Sequence, residues 1–361
     1  MSGHARGIGD FRRATGQTYH APMAHIRRLA PALWLLVLAP FIAEFLLGDF
    51  SVRSLGLLLV FVPLYGGGAL LIREVVRRTR RGWPSIVLLA VAFALIEEGF
   101  ATQSLFNPHY AGQHLLAYGY VPALGTSPVW ALFVLSIHVV WSISTPVLIA
   151  EGLAGERRAT PWLGRIGLVV VAALYVLGVA ITTLFTLGMS HFVAPVPQLA
   201  AVVVLVVAAV AAAFLAFPRG ARSRAGGVPP PWVVGLTVLA LASAFVLVMF
   251  GAPSLGMPAA VTGLAMLAIE VVAGVLIVTW SRVEGWGPSH HLAIAAGTVL
   301  TYGWLGLNVF LRGTTNLGVP VGAVDIAGQV AAVLLVLALI AWAARLLPRA
   351  AERHDVEMVT G

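Results

Sequence analysis

The chain has 361 residues, of which 60% are hydrophobic and only 10% are charged, and its mean hydropathy is +0.95. Soluble domains carry about 25% charged residues, so this composition excludes a soluble enzyme, a nucleic-acid-binding domain and a disordered tail. The chain has no cysteine, which excludes disulfides, thiolate metal sites and cysteine nucleophiles. All 22 basic residues are arginine, which excludes lysine Schiff-base chemistry.

The apolar residues form ten continuous blocks of about 20 residues, long enough to cross a membrane as helices. The runs are rich in Leu, Val and Ala and do not alternate, which favours helices over the strands of a barrel. We therefore predict an all-α, polytopic transmembrane bundle of about ten spans. The blocks lie at 29–47, 54–72, 84–106, 128–150, 166–190, 196–217, 232–251, 258–280, 292–311 and 323–344.

The arginines test this number of spans, because cytoplasmic loops of membrane proteins are enriched in basic residues. If the N-terminus is cytoplasmic, twenty of the 22 arginines fall on the cytoplasmic side and only Arg53 and Arg312 fall outside. One span more or fewer would invert the downstream half and destroy this bias. The sequence therefore predicts a multi-pass protein of a bacterial plasma membrane with both termini cytoplasmic.

These boundaries divide the chain into five regions. The regions are a flexible basic cytoplasmic arm at 1–28, spans one to six at 29–217, a Gly/Pro/Arg-rich cytoplasmic linker at 218–230, spans seven to ten at 231–345 and a cytoplasmic tail at 346–361.

No internal repeat and no phosphate-binding loop is visible in the sequence, so we expect no nucleotide cofactor.

The third span contains the pair Glu97-Glu98. An ionisable residue at the centre of a span costs roughly 2.5–3.5 kcal/mol, so the pair requires an explanation. Ala94 and Ala101 lie three or four residues from both glutamates, and small residues mark surfaces where helices meet. We expect both acids to face the bundle interior or a wet cavity and to hold one shared proton near neutral pH. They are either functional groups or a structural hydrogen-bonding pair.

The fourth span contains His138, followed on the same face by Trp141 and Ser142. At ~1.5 Å per residue, Glu98 and His138 both lie about 12–15 Å below the outer surface. Consecutive helices are usually neighbours, so the sequence predicts a site of Glu97, Glu98 and His138. It would act as an acid–base pair or bind a divalent metal. The alternative is a histidine that only bonds a serine or a backbone carbonyl.

Other polar residues are predicted to line the same cavity. Glu270 shares its helix face with Gly263 and Gly274, so it should also point inward. The full set of expected lining residues is Glu270, Trp141, Ser142, Tyr302, Asn308 and Asn107.

Three further acids and one glycine run have simpler interpretations. Glu44, Glu74 and Glu151 lie near helix ends, where solvation or pairing with arginine explains them. The run Tyr65-Gly66-Gly67-Gly68 follows Pro63 and predicts a weak point in the second span that permits close packing or a broken helix near a cavity.

The glutamate pair in one span and the histidine in the next resemble the CAAX-protease and bacteriocin-processing family of intramembrane endopeptidases. The motifs of that family are Glu-Glu-x-x-x-Arg, Phe-x-x-x-His and His-x-x-x-Asn (or Asp), and its Glu and His residues are held to activate water for peptide hydrolysis. Here Thr102 stands at the arginine position and Phe133 is one residue too far from His138. The third motif is absent, so Asn308 or Glu270 would have to replace it. The use of arginine for lysine and the Glu-Glu…Ser-Leu-Phe-Asn-Pro stretch are also similar to uncharacterised multi-span proteins of high-GC bacteria.

Three functions follow from these features. The first is an intramembrane hydrolase, such as an endopeptidase, in which a glutamate is the general base and His138 orients it or binds metal. The second is a proton- or cation-coupled transporter that uses the same buried acids. The third is a structural membrane protein without catalysis. In each case the partner is the lipid bilayer, with an unknown small molecule or peptide as substrate for the first two and with no nucleic acid.

The arginine bias makes a testable prediction about topology. Reporter fusions after Arg81, Arg158 and Arg224 should all report a cytoplasmic location, because these residues belong to the arginine-rich loops. A periplasmic signal at any one of the three fusions would contradict the ten-span arrangement with cytoplasmic termini.

Overall fold

A computed structural model describes residues 21–217 and 224–347, with side chains from residue 29. This part of the chain forms helices and loops and contains no β-strand, which confirms the all-α prediction. It also contains ten helical spans, which confirms their predicted number. We label them α1 to α10: Leu29–Leu46, Val52–Arg78, Trp83–Ala101, Pro128–Leu153, Arg165–Ser190, Val196–Leu215, Pro231–Gly251, Ala259–Ser281, Pro288–Leu311 and Ala323–Arg345.

Several boundaries differ from the sequence prediction. The second span continues to Arg78 rather than ending at 72, and the ninth begins at Pro288 rather than at 292. The helix of α1 begins at Ala21, within the segment predicted as a flexible arm, because the residues before Leu29 include good helix formers. The third span ends at Ala101 rather than at 106, because Gln103 adopts a positive φ of 54°. The remaining predicted arm (1–20), residues 218–223 of the linker and residues 348–361 of the tail lie outside the described residues.

The ten spans form a central and a peripheral group. In α1, α3, α4 and α9 between 56% and 67% of the most hydrophobic window is buried within the protein, whereas in α5 to α8 only 11–17% is buried. The peripheral helices therefore present most of their apolar surface to lipid. A polar side chain on the central helices is instead surrounded by protein, and Glu97, Glu98 and His138 all lie on α3 and α4.

Glycines bring the backbones of α1, α2 and α5 into close contact. A Cβ atom on Gly66 would overlap the carbonyl of Leu36, and one on Gly178 would overlap the backbone of Leu64. The glycine run predicted as a weak point does interrupt the α-helix, since residues Val62–Gly66 form a π-helical turn. The weak point therefore permits both close packing and a change of helical geometry.

One end of the bundle is held together by a buried ion cluster, and we call it the arginine-rich end. Arg73 and Glu74 are fully buried, and the Arg73 guanidinium lies 2.7 Å from Glu74, 3.1 Å from Glu151 and 3.5 Å above the ring of Trp162. Arg77 also donates to Glu151 over 2.7 Å. These contacts confirm that arginine pairing explains the buried Glu74 and Glu151.

The glycine contacts predict a site-specific effect on stability. Gly178→Ala should lower the unfolding temperature in detergent, because the added methyl group has no space against the α2 backbone, and overpacking typically costs about 1–3 kcal/mol. Gly188→Ala is the matched control on the same helix, because nothing lies within 4 Å of the added Cβ. Equal unfolding temperatures for the two variants would contradict the close approach of α5 to α2.

Candidate functional site

Four turns of π-helix lie in the central part of the bundle. Such turns are rare and are concentrated at functional sites. They span Phe41–Leu46 in α1, Val62–Gly66 in α2, Glu97–Ala101 in α3 and His138–Ser144 in α4. Each turn carries one or two of the polar side chains that meet in the site: Glu44, Tyr65, Glu97 with Glu98, and His138.

Glu98 and His138 form the closest contact of the site. His138 Nε2 lies 2.6 Å from Glu98 Oε1, and only 6% of each residue is exposed. The other oxygen of Glu98 accepts hydrogen bonds from Thr102 Oγ1, over 3.1 Å, and from Ser104 Oγ. Three donors therefore surround the Glu98 carboxylate and fix its orientation. The predicted meeting of Glu98 with His138 on consecutive spans is confirmed.

Glu97 approaches the opposite edge of the same imidazole. Its Oε2 atom lies 3.2 Å from His138 Nδ1, and Nδ1 also lies 3.1 Å from Ser142 Oγ. Glu97 is only 2% exposed, yet its Oε2 atom has no hydrogen-bond partner. The imidazole is thus placed between two carboxylates, one fully bonded and one with an oxygen still available.

Aromatic rings enclose the imidazole within the membrane. The ring of Tyr65 stacks on His138 with centroids 6.1 Å apart, and the ring of Phe93 lies 6.2 Å away. The Tyr65 hydroxyl lies near enough to Glu97 and Glu44 to interact with their carboxylates. Glu44 is half-buried and lies near enough to interact with the charges of Glu97 and His138, so it borders the site, while its interpretation as a solvated helix end stays a prediction.

Two residues outside the spans approach the site from the end of the bundle opposite the arginine-rich end. Tyr110, in the loop after α3, is partly buried, and burial together with the nearby Glu98 carboxylate raises the pKa of its hydroxyl well above the usual value. Burial also raises the pKa of Asp49 to about 6, although the hydrogen bond from Asn316 Nδ2, 2.8 Å long, acts against this. Both groups interact with the carboxylates of the site, so this side of the site is strongly acidic.

Three of the predicted lining residues contribute to the walls of the site. Trp141 is buried and stacks on Tyr302 with centroids 4.5 Å apart, and its Nε1 donates to the carbonyl of Thr298. This pair fastens α4 to α9 beside the site. Ser142 contacts His138 directly. Ser142 therefore supports the imidazole directly, and the Trp141–Tyr302 pair holds α4 against α9.

The other predicted lining residues lie elsewhere. Asn107 is buried, but its Oδ1 accepts a hydrogen bond from the backbone N–H of His109 in the loop that follows α3. Glu270 contacts Ser136, which lies about 200° around α4 from His138. Asn308 is exposed, because it lies six positions after Tyr302 and is therefore rotated about 240° from it around α9. The structure does not bring Glu270 or Asn308 to the Glu–His cluster.

Sequence reasoning missed Glu44, Asp49, Tyr65 and Tyr110 as members of the site. A weak signal for two of them is present in the sequence. Pro40 and Pro63 stand at the beginning of the π-helical turns that carry Glu44 and Tyr65, and proline disturbs the hydrogen bonding of the preceding turn. Asp49 and Tyr110 carry no comparable signal, since they lie in connecting segments.

An apolar cleft of about 280 Å³ lies beside the site, between α2, α3, α5 and α6. Its lining includes Gly68, Phe93 and Tyr175, and almost all of its surface is apolar. Phe93 also packs against the ring of His138, so one side chain separates the cleft from the site. The Tyr175 hydroxyl is buried there without a hydrogen-bond partner. The peripheral helices α5 and α6 form the lipid-facing side of this cleft.

The fold and this buried acid–histidine cluster define a polytopic membrane protein with a polar site inside its helical bundle. Residues 33–349 match the model of a family described as an uncharacterized membrane protein family, and the chain belongs to that family. The comparison with curated proteins finds no match. The comparison with solved structures also finds no match.

The geometry predicts energetic coupling between Glu98 and His138. Glu98→Gln and His138→Ala should each destabilise the protein, by about 3 kcal/mol or more, because removing one partner leaves the other polar group buried and unpaired. The double variant should be less destabilised than the sum, with a coupling energy of about 0.5–3 kcal/mol. The measurement is reversible unfolding in detergent.

The control for this double-mutant comparison combines His138→Ala with Asp325→Asn. Asp325 is equally buried, but it pairs with Arg53 and shares no partner with His138. We expect additive effects for this second pair. Additive effects for Glu98 with His138 as well would refute the coupling inferred from their contact.

Proposed function

We propose that the protein is an intramembrane hydrolase in which Glu97, Glu98 and His138 activate a water molecule. The observation that carries the proposal is the convergence of two buried carboxylates on one imidazole, at 2.6 Å and 3.2 Å. A general base must lie within hydrogen-bonding reach of the proton that it removes, and a histidine positioned by a carboxylate is the usual partner.

The different surroundings of the two glutamates support different roles. Glu98 accepts hydrogen bonds from Thr102 and Ser104 as well as contacting His138, so it is suited to orient the imidazole. Glu97 keeps one oxygen without a hydrogen-bond partner and is suited to accept a proton from water. The water oxygen then attacks an electrophilic carbonyl. Glu97 passes its proton to His138, whose Nδ1 is 3.2 Å away, and His138 donates a proton to the leaving group as its bond to the carbonyl carbon breaks.

The apolar cleft supports a substrate that reaches the site from the bilayer. A chain entering between α5 and α6 would meet an apolar surface as far as Phe93, and the reacting group would be placed on the other side of that ring. An endopeptidase acting on a membrane-embedded peptide is the form of hydrolase that the resemblance to the CAAX-protease family suggests. The glutamate pair and His138 carry this suggestion, whereas Thr102 and the absent third motif depart from that family.

A carrier that moves protons or cations is the runner-up. The polar groups of Glu44, Tyr65, Glu97 and His138 favour it, because they lie near enough to interact with one another. Towards the arginine-rich end, however, polar contacts continue only to Thr145 and Thr298, which are 2.9 Å apart. Beyond them the described side chains between the site and Arg73 pack as an apolar cluster that includes Leu70, Ile86, Ala90, Val147 and Ala150.

A carrier requires polar groups along a complete route with two gates, so this apolar cluster favours the hydrolase. A purely structural role would be indicated if substitutions in the site changed stability alone. The three functions are therefore separated by measuring cleavage, flux and stability on the same variants.

The proposal predicts cleavage without flux. Purified protein in proteoliposomes should cleave members of a labelled-peptide library, and Glu97→Gln and His138→Ala should slow cleavage by about 10²–10⁴-fold, because general-base catalysis contributes that much. A pH-sensitive dye inside the same vesicles should report no proton flux. Glu270→Gln is the matched control, since it changes an intramembrane acid outside the Glu–His cluster and should leave cleavage unchanged.

Other results would overturn the assignment. Proton flux that disappears in Glu98→Gln, without cleavage of any peptide, would establish the carrier instead. Cleavage that survives in both Glu97→Gln and His138→Ala would show that these residues are not the water-activating groups.

A further inference from the structure

We propose that Glu97, Glu98 and His138 bind one divalent transition-metal ion, with Zn²⁺ as the best-fitting ion. This inference deepens the proposed function, because it specifies how the same site would activate water. It is carried by the arrangement of the donor atoms and by an available carboxylate oxygen.

The donor set and its spacing fit such an ion. Each of the three residues offers one ligand atom, and these three atoms lie within 4.8 Å of one another. Zn²⁺ binds imidazole nitrogen and carboxylate oxygen at about 2.0–2.2 Å, and catalytic zinc sites use three protein ligands with water in the fourth position. Two ligand atoms at these bond lengths lie at most about 4.4 Å apart on one ion, so a movement of the glutamate side chains would bring the three atoms around it.

The oxygen Oε2 of Glu97 provides an independent indication of a ligand. It belongs to a side chain that is only 3% exposed, it points at the imidazole, and it accepts no hydrogen bond. Buried carboxylate oxygens are normally satisfied. An ion bound between Glu97 and His138 would satisfy this atom, and the other oxygen of Glu97 would then be the one that accepts a proton from water.

The charge around the site also favours a cation. The carboxylates of Glu97 and Glu98 contact His138, and those of Glu44 and Asp49 lie near enough to interact with it. Within residues 29–217 and 224–347, the ion pairs of Glu97 and Glu98 involve His138 and no arginine. The chain contains no lysine. A divalent ion would compensate the carboxylates of Glu97 and Glu98, which pair with His138 but with no arginine among the described residues.

The test is metal binding by the full-length protein in detergent. After chelator treatment, the wild type should bind one equivalent of Zn²⁺ in a calorimetric titration, and Glu97→Gln and His138→Ala should weaken this binding at least tenfold. The unfolding temperature of the wild type should rise with Zn²⁺ concentration, because a ligand that binds only the folded state stabilises it. It should not rise in the two variants.

Two matched controls separate this site from other metal-binding groups. His114→Ala disrupts a surface pair, since the rings of His109 and His114 lie 5.4 Å apart, and it should leave binding unchanged. Glu270→Gln removes an intramembrane acid outside the cluster and should also leave binding unchanged. Because Gln is isosteric with Glu, and circular dichroism verifies helix content, a loss of binding in Glu97→Gln is not explained by misfolding.

The outcomes distinguish this inference from the proposed function. Less than one equivalent bound by the wild type, or equal binding by Glu97→Gln and His138→Ala, would overturn the metal site. Cleavage at an undiminished rate after complete metal removal would also overturn it, while the hydrolase would stand. Binding with the expected variant pattern but without any cleavage would support the metal site and refute the hydrolase.

Discussion

The contact of Glu97 and Glu98 with His138 is the interaction around which the central helices are arranged. Charged groups withdrawn from water are costly unless they are paired and hydrogen-bonded. Here the pairing requires α3 and α4 to meet at one depth and in one rotation, and Thr102 and Ser104 supply the remaining donors to Glu98. The four π-helical turns lie at this contact, so the bundle departs from regular α-helix where polar side chains must be re-aimed.

The two buried polar clusters of the bundle differ in charge balance. At the arginine-rich end, Arg73 and Arg77 neutralise Glu74 and Glu151, so that cluster explains itself as a structural ion network. In the site, two carboxylates contact one histidine, and no arginine pairs with them among the described residues. This imbalance supports the proposed function, because groups with perturbed charge tend to cluster at functional sites.

The departures from the resembled family motif have a structural consequence. Thr102 stands where that motif has an arginine, and its hydroxyl donates to Glu98. A hydroxyl satisfies the hydrogen bond but supplies no positive charge. The negative charge of the glutamates is therefore not neutralised by an arginine at position 102. The proposed cation would supply the positive charge that this arginine supplies in the motif. The apolar cluster around Leu70 and Val147 closes the site towards the arginine-rich end, so the lipid-facing cleft and the opposite end remain as approaches.

The sequence by itself determined the ten spans and predicted the contact of Glu98 with His138. Span length, small-residue faces and depth along a helix are local properties that can be read from the sequence. It did not identify Glu44, Tyr65 or Tyr110 as members of the site, and it assigned Asn308 and Glu270 to a cavity that they do not reach. Those positions depend on which helices are neighbours and how each is rotated about its axis. Only packing decides this, since contacts such as Gly178 against Leu64 and Trp141 on Tyr302 join residues far apart in the chain.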